Sequence, residues 1–148
     1  MIALPKSMHP AYAETHFAVE VPLTDSPAEF AIITAFATTG EAWTDAENRA
    51  ADEALETLLR AQTHWLNRIT GYSPTTGHAE RGWAAELFFE QACEIGLRFK
   101  QDAIYFVRNG TLFVSHCDQR KALIELAPFL SRWHLSPGGP SFVGGKPR

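Results

Sequence analysis

Apolar positions in the first half of the chain predict a strand followed by a helix. Residues 30–36 are apolar on both alternating faces, which is typical of a central strand covered on both sides of its sheet. From Asp45 to Gln62 the apolar residues recur at helical spacing and form one stripe. We expect this helix to pack on the strand before it and the other elements to surround the pair.

Two short motifs predict where elements begin and turn. Thr44 and Glu47 occupy the N-cap and N3 positions of a capping box, in which each side chain accepts a hydrogen bond from the other residue's amide. Asn109 and Gly110 tolerate positive φ and lie between two alternating runs. They therefore predict a hairpin with a two-residue type I′ turn.

Periodicity and turn residues predict the remaining elements, in the overall order β-β-α-β-β-α-β-β-α. The other predicted strands cover residues 16–21, 65–72, 83–89, 103–108 and 111–116. The other predicted helices cover residues 90–100 and 118–133. The last helix is expected to be kinked or split at Pro128, because proline has no amide hydrogen to donate.

This order predicts a single α+β domain over residues 1–135, with a mixed and mainly antiparallel sheet. Its inner β-α-β-β-α-β part, residues 30–108, matches the split βαβ arrangement, whose first and third strands are central antiparallel neighbours. An N-terminal strand, a C-terminal hairpin and a C-terminal helix are added to this core. Residues 136–148 are rich in Pro and Gly and are expected to form a tail that contributes little to the core.

Composition narrows the class of protein. The chain has 148 residues, of which 45% are hydrophobic and 20% charged, as expected for one globular domain. The net charge of −4, without any run of Lys or Arg, argues against a nucleic-acid partner. No signal peptide and no apolar run long enough to span a membrane are present, so no membrane partner is expected. Cys93 and Cys117 form no CxxC pair, which favours reduced thiols in the cytoplasm.

Several short stretches of the sequence, taken together, resemble a known protein family. These stretches are Ile33-Thr34-Ala35, Glu47-Asn48, Gly71, Glu86 and Gln101-Asp102-Ala103-Ile104. Together they resemble a bacterial family known only as domain of unknown function 3293. The resemblance covers roughly residues 12–114. It implies no activity, ligand or site, because none is established for that family.

The first candidate site is a polar rim at the end of the central strand, formed by Thr34, Thr38, Thr39, Glu47 and Asn48. Its functional interpretation is a small polar pocket at a helix N-terminus, although Glu47 already places negative charge there. The structural alternative is that Asn48 ties the strand-end loop to the helix, because a buried amide needs hydrogen-bond partners.

The second candidate is Glu86, on the third core strand. Pairing the strand centres places it opposite Ile33, where small neighbouring side chains leave room for it. We therefore expect Glu86 to be mostly buried and held by an Arg, His or hydroxyl partner, as a general acid or base or as half of a structural pair. The candidate binding residues are Thr34, Glu47, Asn48, Glu86 and Gln101.

No pattern of metal ligands or of catalytic nucleophiles stands out. The residue types of a metal site occur at His78, Glu80, His116 and Cys117, but without a zinc-binding spacing, so no metal or cofactor is expected. The leading hypothesis is a binding or interaction module for an unidentified protein or small molecule, with Trp43 and Trp133 as exposed anchors. The alternative is a small hydrolase or nucleic-acid-processing enzyme that uses Glu86, Asn48 and a His.

Overall fold

The computed structural model describes residues 4–37 and 42–136. These residues form two α-helices, α1 (Asp45–Gln62) and α2 (Phe89–Arg98). They also form eight strands, which in chain order are β1 (His16–Val19), β2 (Glu29–Thr34), β3 (Leu66–Tyr72), β4 (Ala79–Ala85), β5 (Ala103–Arg108), β6 (Thr111–His116), β7 (Ile124–Pro128) and β8 (Trp133–Leu135). Short 3₁₀ turns, Pro10–Ala13 and Phe129–Ser131, precede β1 and separate β7 from β8.

All eight strands belong to one sheet, in the order β7-β6-β5-β2-β4-β3-β1-β8. The strand predicted to be central, β2, lies between β5 and β4 and is antiparallel to both. The inner order β5-β2-β4-β3, with α1 and α2 as its two crossover helices, is the predicted split βαβ core. The α+β fold class is therefore confirmed, and among the strands of residues 4–37 and 42–136 the one parallel pair is β1 with β8.

The two faces of β2 contribute to two separate apolar cores. Ala31 and Ile33 pack on the helix face, together with Leu55 and Leu59 of α1. Ile32 lies on the opposite face, called the concave face below because the sheet curls round it, with the other members of its core, among them Phe17, Phe30, Ile69, Tyr105 and Phe129. Because both faces are covered, β2 has the continuous apolar pattern from which it was recognised.

The two local motifs have the predicted geometry. Thr44 Oγ1 accepts from the amide of Glu47 at 3.0 Å, and Glu47 Oε1 accepts from the amide of Thr44 at 2.9 Å. The helix begins at Asp45, as the capping box predicts. Asn109 and Gly110 have φ angles of 50° and 83° and connect β5 to β6. The type I′ hairpin is therefore confirmed in both its length and its backbone conformation.

The predicted C-terminal helix over residues 118–133 is wrong. Ile124–Pro128 instead pairs antiparallel with β6, and Trp133–Leu135 pairs parallel with β1 at the other side of the sheet. Sheet pairing overrides a weak helical pattern here, because β6 and β1 would otherwise present unpaired backbone edges. The third core strand was also misplaced, since it covers Ala79–Ala85 and ends before residues 86–89.

The sheet curls strongly, because a short connection joins its two outer strands. Pro128 ends β7 and Trp133 begins β8, so five residue steps, about 18 Å at full extension, must span the gap. Eight strands laid flat would put these edges about 34 Å apart. The sheet therefore closes round the core that contains Phe17 and Phe129, whose ring centroids are 6.0 Å apart.

A charged clamp fixes α1 to the sheet on the helix face. Arg68 of β3 donates two hydrogen bonds to the carboxylate of Asp52 in α1, at 2.8 and 2.7 Å. The indole Nε1 of Trp83 in β4 donates to the same carboxylate at 3.2 Å, and the guanidinium lies 4.2 Å from the Trp83 ring centroid. One carboxylate therefore connects three elements.

We expect Asp52→Ala to lower the free energy of unfolding by about 1.5 kcal/mol, because Arg68 and Trp83 lose a charged acceptor while staying largely buried. Urea denaturation measures this. The control is Glu56→Ala on the same helix, which removes only an exposed ion pair with Arg60 and should cost less than about 0.5 kcal/mol. Equal costs for the two variants would show that the clamp has no special role.

Candidate functional site

A cavity of about 280 Å³ opens at one end of the concave face. It lies where β2 and β3 end and where β1, β4 and β5 begin. The turn at Pro10–Ala13 and the residues beside it form a further wall. The volume is close to the lower end of the range for small-molecule sites, roughly 300–1,000 Å³.

The end of α2 places Gln101 beside the cavity. Lys100 adopts a left-handed backbone conformation, with φ of 60°. The amides of Lys100 and Gln101 donate to the carbonyls of Leu97 and Gly96, which together form a Schellman motif. This turn directs Gln101 toward the end of β2, where its Nε2 donates to the carbonyl oxygens of Phe36 and Phe99 at 2.8 and 3.0 Å. The Gln101 amide therefore has a structural role of its own.

A chain of polar side chains runs from Gln101 across the cavity wall. The Thr34 hydroxyl lies 3.1 Å from Oε1 of Gln101 and 3.4 Å from Oε1 of Glu80. Nε2 of His78 lies 2.8 Å from Oε2 of the same Glu80. Because Thr34 has one hydrogen to donate, the shorter contact to Gln101 is its main bond. Glu80 is thus oriented mainly by His78 and keeps acceptor capacity toward the cavity.

Aromatic and aliphatic side chains form the rest of the lining. Tyr105 donates its hydroxyl to the backbone carbonyl of Tyr12 at 2.9 Å, which fixes the N-terminal wall to β5. Burial raises the pKa of both Tyr12 and Tyr105, so their hydroxyls stay neutral at ordinary pH. Phe17 packs edge-on against Tyr105, with ring centroids 5.1 Å apart. Ile32 contributes an aliphatic surface to the lining.

Thr34 and Gln101 are the two predicted binding residues that line this cavity. Asn48 and Glu47 serve the loop and the helix start instead. Asn48 is buried, and its Oδ1 accepts from the amide of Ala37 at 2.9 Å, which is the structural alternative considered for it. Glu47 completes the capping box. Thr38 and Thr39, the other members of the predicted rim, fall outside the described residues.

The expected burial of Glu86 is wrong. Its side chain is exposed, and Ile33 pairs with Trp83 instead of Glu86. The predicted register was shifted by three residues, because β4 ends at Ala85 and residue 86 already belongs to the turn before α2. The carboxylate beside Trp83 is that of Asp52, from the helix.

The four residues considered as candidate metal ligands do not form one cluster. His78 contacts Glu80, whereas Nε2 of His116 lies 2.9 Å from the Ser7 hydroxyl. Within the described residues no group of three or more His, Cys, Asp or Glu is placed to hold a metal ion. The buried Nδ1 of His116 has no hydrogen-bond partner in that part of the chain.

The two cysteines are buried free thiols. Burial raises the pKa of Cys93 to about 11 and that of Cys117 to about 12, so neither is a thiolate at neutral pH. Trp43 and Trp133, predicted to be exposed anchors, are only partly exposed, and Trp133 packs against the concave core. No helix within residues 4–37 and 42–136 has the length and apolar content to cross a membrane.

Sequence reasoning missed most of the cavity wall. Tyr12 lies in an irregular N-terminal stretch, and Tyr72 and Tyr105 read as ordinary strand residues. His78 and Glu80 had drawn attention only as candidate metal ligands. The one available signal was their spacing of two residues, which places both side chains on the same face of an extended segment.

These features define an α+β domain with a split βαβ core and a partly polar cavity on its concave face. Residues 33–104 match the family model described as "Protein of unknown function (DUF3293)", so the chain is similar to that family from β2 to the start of β5. This confirms the resemblance noted in the sequence. Comparisons with curated proteins and with solved structures find no match.

Proposed function

We propose that this domain is a binding module that takes a small organic molecule into the cavity of the concave face. The observation that carries the proposal is a concave site with apolar walls and a few converging polar groups, which is the usual composition of a ligand pocket. Thr34, His78 and Glu80 supply the polar groups, and Gln101 and the strand backbones hold them in place.

The segment that matches the family model supports this location. Residues 33–104 contribute the ends of β2 and β3, the start of β4 and the turn that carries Gln101. Gly71 and Ala103, which also carry the resemblance, line the cavity and leave it open because their side chains are absent or small. The shared segment therefore includes much of the proposed site.

The alternative, a small hydrolase or nucleic-acid-processing enzyme, needs Glu86, Asn48 and a His within hydrogen-bond reach, about 4 Å or less. Pairing of Ala31 with Ala85 places Glu86 near the start of β2, whereas Asn48 binds the backbone beyond its end. Because Glu86 and Asn48 lie at opposite ends of β2, they are not placed to act together, and this favours the binding function. We also propose a cytoplasmic location, because free buried thiols suit a reducing compartment.

A library of small organic fragments, screened by amide NMR, tests the proposal. We expect bound fragments to shift the amide signals of Thr34, Gly71 and Ala103 and to raise the melting temperature in proportion to occupancy. Fragments that bind only elsewhere, or none that bind at all, would refute a ligand site in this cavity.

Two variants at Gly71 make the test specific. A Cβ at this position would lie 3.4 Å from Thr15 and 3.6 Å from Phe17, in ordinary contact, so Gly71→Ala should fold normally. The larger side chain in Gly71→Val extends further into the cavity and should weaken fragment binding by about tenfold or more. The affinity of Gly71→Ala should lie between those of the wild-type protein and the Val variant. Unchanged affinity in a folded Val variant would contradict the proposed location.

A further inference from the structure

We infer that the preferred ligand is an organic cation, an amine or ammonium compound whose charged group binds Glu80 and whose body packs on the aromatic wall. This inference rests on the proposed binding function and adds the chemical class of the ligand. The observations behind it are the charge of the lining, the orientation of Glu80 and the position of the aromatic rings.

The charge of the lining is one-sided. Glu80 is the carboxylate among the described residues that line the cavity, and no Lys or Arg lines it within that part of the chain. Nη1 of Arg132 donates to the backbone carbonyl of the lining residue Thr15 at 3.0 Å, but Arg132 itself does not line the cavity. His9 and His78 do line it, and His78 pairs with Glu80 as a cation only when it is protonated. An anionic ligand would therefore meet Glu80 without a permanent cation to offset the repulsion, whereas a cation would gain a charge-assisted hydrogen bond.

Glu80 is held in place without being saturated. The His78 contact at 2.8 Å uses one acceptor site on Oε2, and the Thr34 hydroxyl, which donates mainly to Gln101, lies 3.4 Å from Oε1. A carboxylate offers roughly four acceptor sites, so most of them stay open. Its side chain keeps 30% of its surface exposed, so a bound group can reach it. An oriented carboxylate with spare lone pairs is a suitable receptor for the N–H groups of an ammonium.

The aromatic wall adds a second attraction for a cation. The rings of Tyr12 and Tyr105, which both line the cavity, have centroids 6.1 Å apart and are tilted by 56°. Tyr72 lines the same cavity from β3. Neutral tyrosine rings attract cations through their negative faces. Because burial keeps Tyr12 and Tyr105 protonated, they contribute this attraction and add no anionic charge of their own.

Three probes of similar size and different charge test the inference: benzylamine, benzyl alcohol and benzoate, each titrated against the full chain by amide NMR. We expect benzylamine, which is cationic at neutral pH, to bind about tenfold more tightly than benzyl alcohol, with benzoate weaker still. Glu80→Gln should lower benzylamine affinity to that of benzyl alcohol and leave benzyl alcohol binding unchanged. Glu86→Gln, at an exposed carboxylate outside the cavity, should alter neither affinity.

The outcomes distinguish a failure of the cation inference from a failure of the proposed binding function. If benzyl alcohol or benzoate binds the cavity as tightly as benzylamine, the cation inference is wrong and the binding function stands. If Glu80→Gln leaves the preference for benzylamine intact, Glu80 is not the receptor and the inference is again wrong. If neither these probes nor any library fragment shifts the cavity amides, the proposed function itself fails.

Discussion

Gly82→Ala is expected to lower the free energy of unfolding by about 3 kcal/mol, the largest loss we expect for a single methyl group. A Cβ at Gly82 would lie 2.5 Å from the carbonyl oxygen of Ile33 and 2.7 Å from Cγ2 of Thr34. The first of these atoms is backbone of the central strand and cannot rotate away. The central pair β2 and β4 would have to separate locally, and urea denaturation would record the cost.

Gly71→Ala is the matched control, because Gly71 lies in β3, the neighbouring strand, and has room for a methyl group. Removing glycine from the interior of a strand restricts the unfolded chain, so this variant should gain roughly 0.5 kcal/mol. Losses of similar size at both positions would mean that the close approach at Gly82 does not limit the packing of β2 on β4.

Gly96→Ala is expected to lose about 2 kcal/mol, although alanine is the better helix former by about 1 kcal/mol. Gly96 lies in α2 where the helix meets β5 and the end of β6. A Cβ there would stand 2.5 Å from Sγ of Cys117 and 2.9 Å from Cγ2 of Ile104. The thiol is the main obstacle, since it would be the nearer atom and Cys117 is buried.

A double-mutant cycle tests this explanation. Cys117→Ala removes the sulfur atom and should itself cost about 1 kcal/mol through the small void that it leaves. The double variant Gly96→Ala/Cys117→Ala should lose at least about 1 kcal/mol less free energy of unfolding than the sum of the two single losses. The other buried thiol, Cys93→Ala, is the control and should combine additively with Gly96→Ala. Additivity in both cycles would mean that the Gly96 loss has another origin.

Features set by neighbouring residues could be predicted from the sequence. The capping box at Thr44 and the turn at Asn109 and Gly110 depend on a few adjacent side chains, and both were recognised. The central position of β2 was predicted because burial on both faces leaves an apolar pattern. The split βαβ order then followed from the sequence of elements alone.

Features set by distant pairing could not be predicted in the same way. Residues 118–133 have weak local preferences, and only the free edges of β6 and β1 decide that they form strands. The register of β4 against β2 depends on the close approach at Gly82, which no local pattern reveals. An error of three residues was enough to assign Glu86 to the core.

The cavity was only partly predictable for the same reason. Thr34 and Gln101 were selected because one ends a core strand and the other carries the family resemblance. Tyr12, Glu80 and Tyr105 come from three other segments, and only the curl of the sheet brings them together. A site assembled from so many segments leaves no compact motif in the sequence.

The short connection between β7 and β8 has a consequence for synthesis of the protein on the ribosome. Both outer strands of the sheet come from residues 124–135, the last strand-forming part of the described chain. Until these residues leave the exit tunnel, a nascent chain holds β6 and β1 as unpaired edges, which can recruit other chains. One late segment then covers both edges together and leaves shorter strands outermost, the five-residue β7 with Pro128 and the three-residue β8. Because short strands and proline make poor edges for pairing, aggregation risk should fall once residue 135 has emerged.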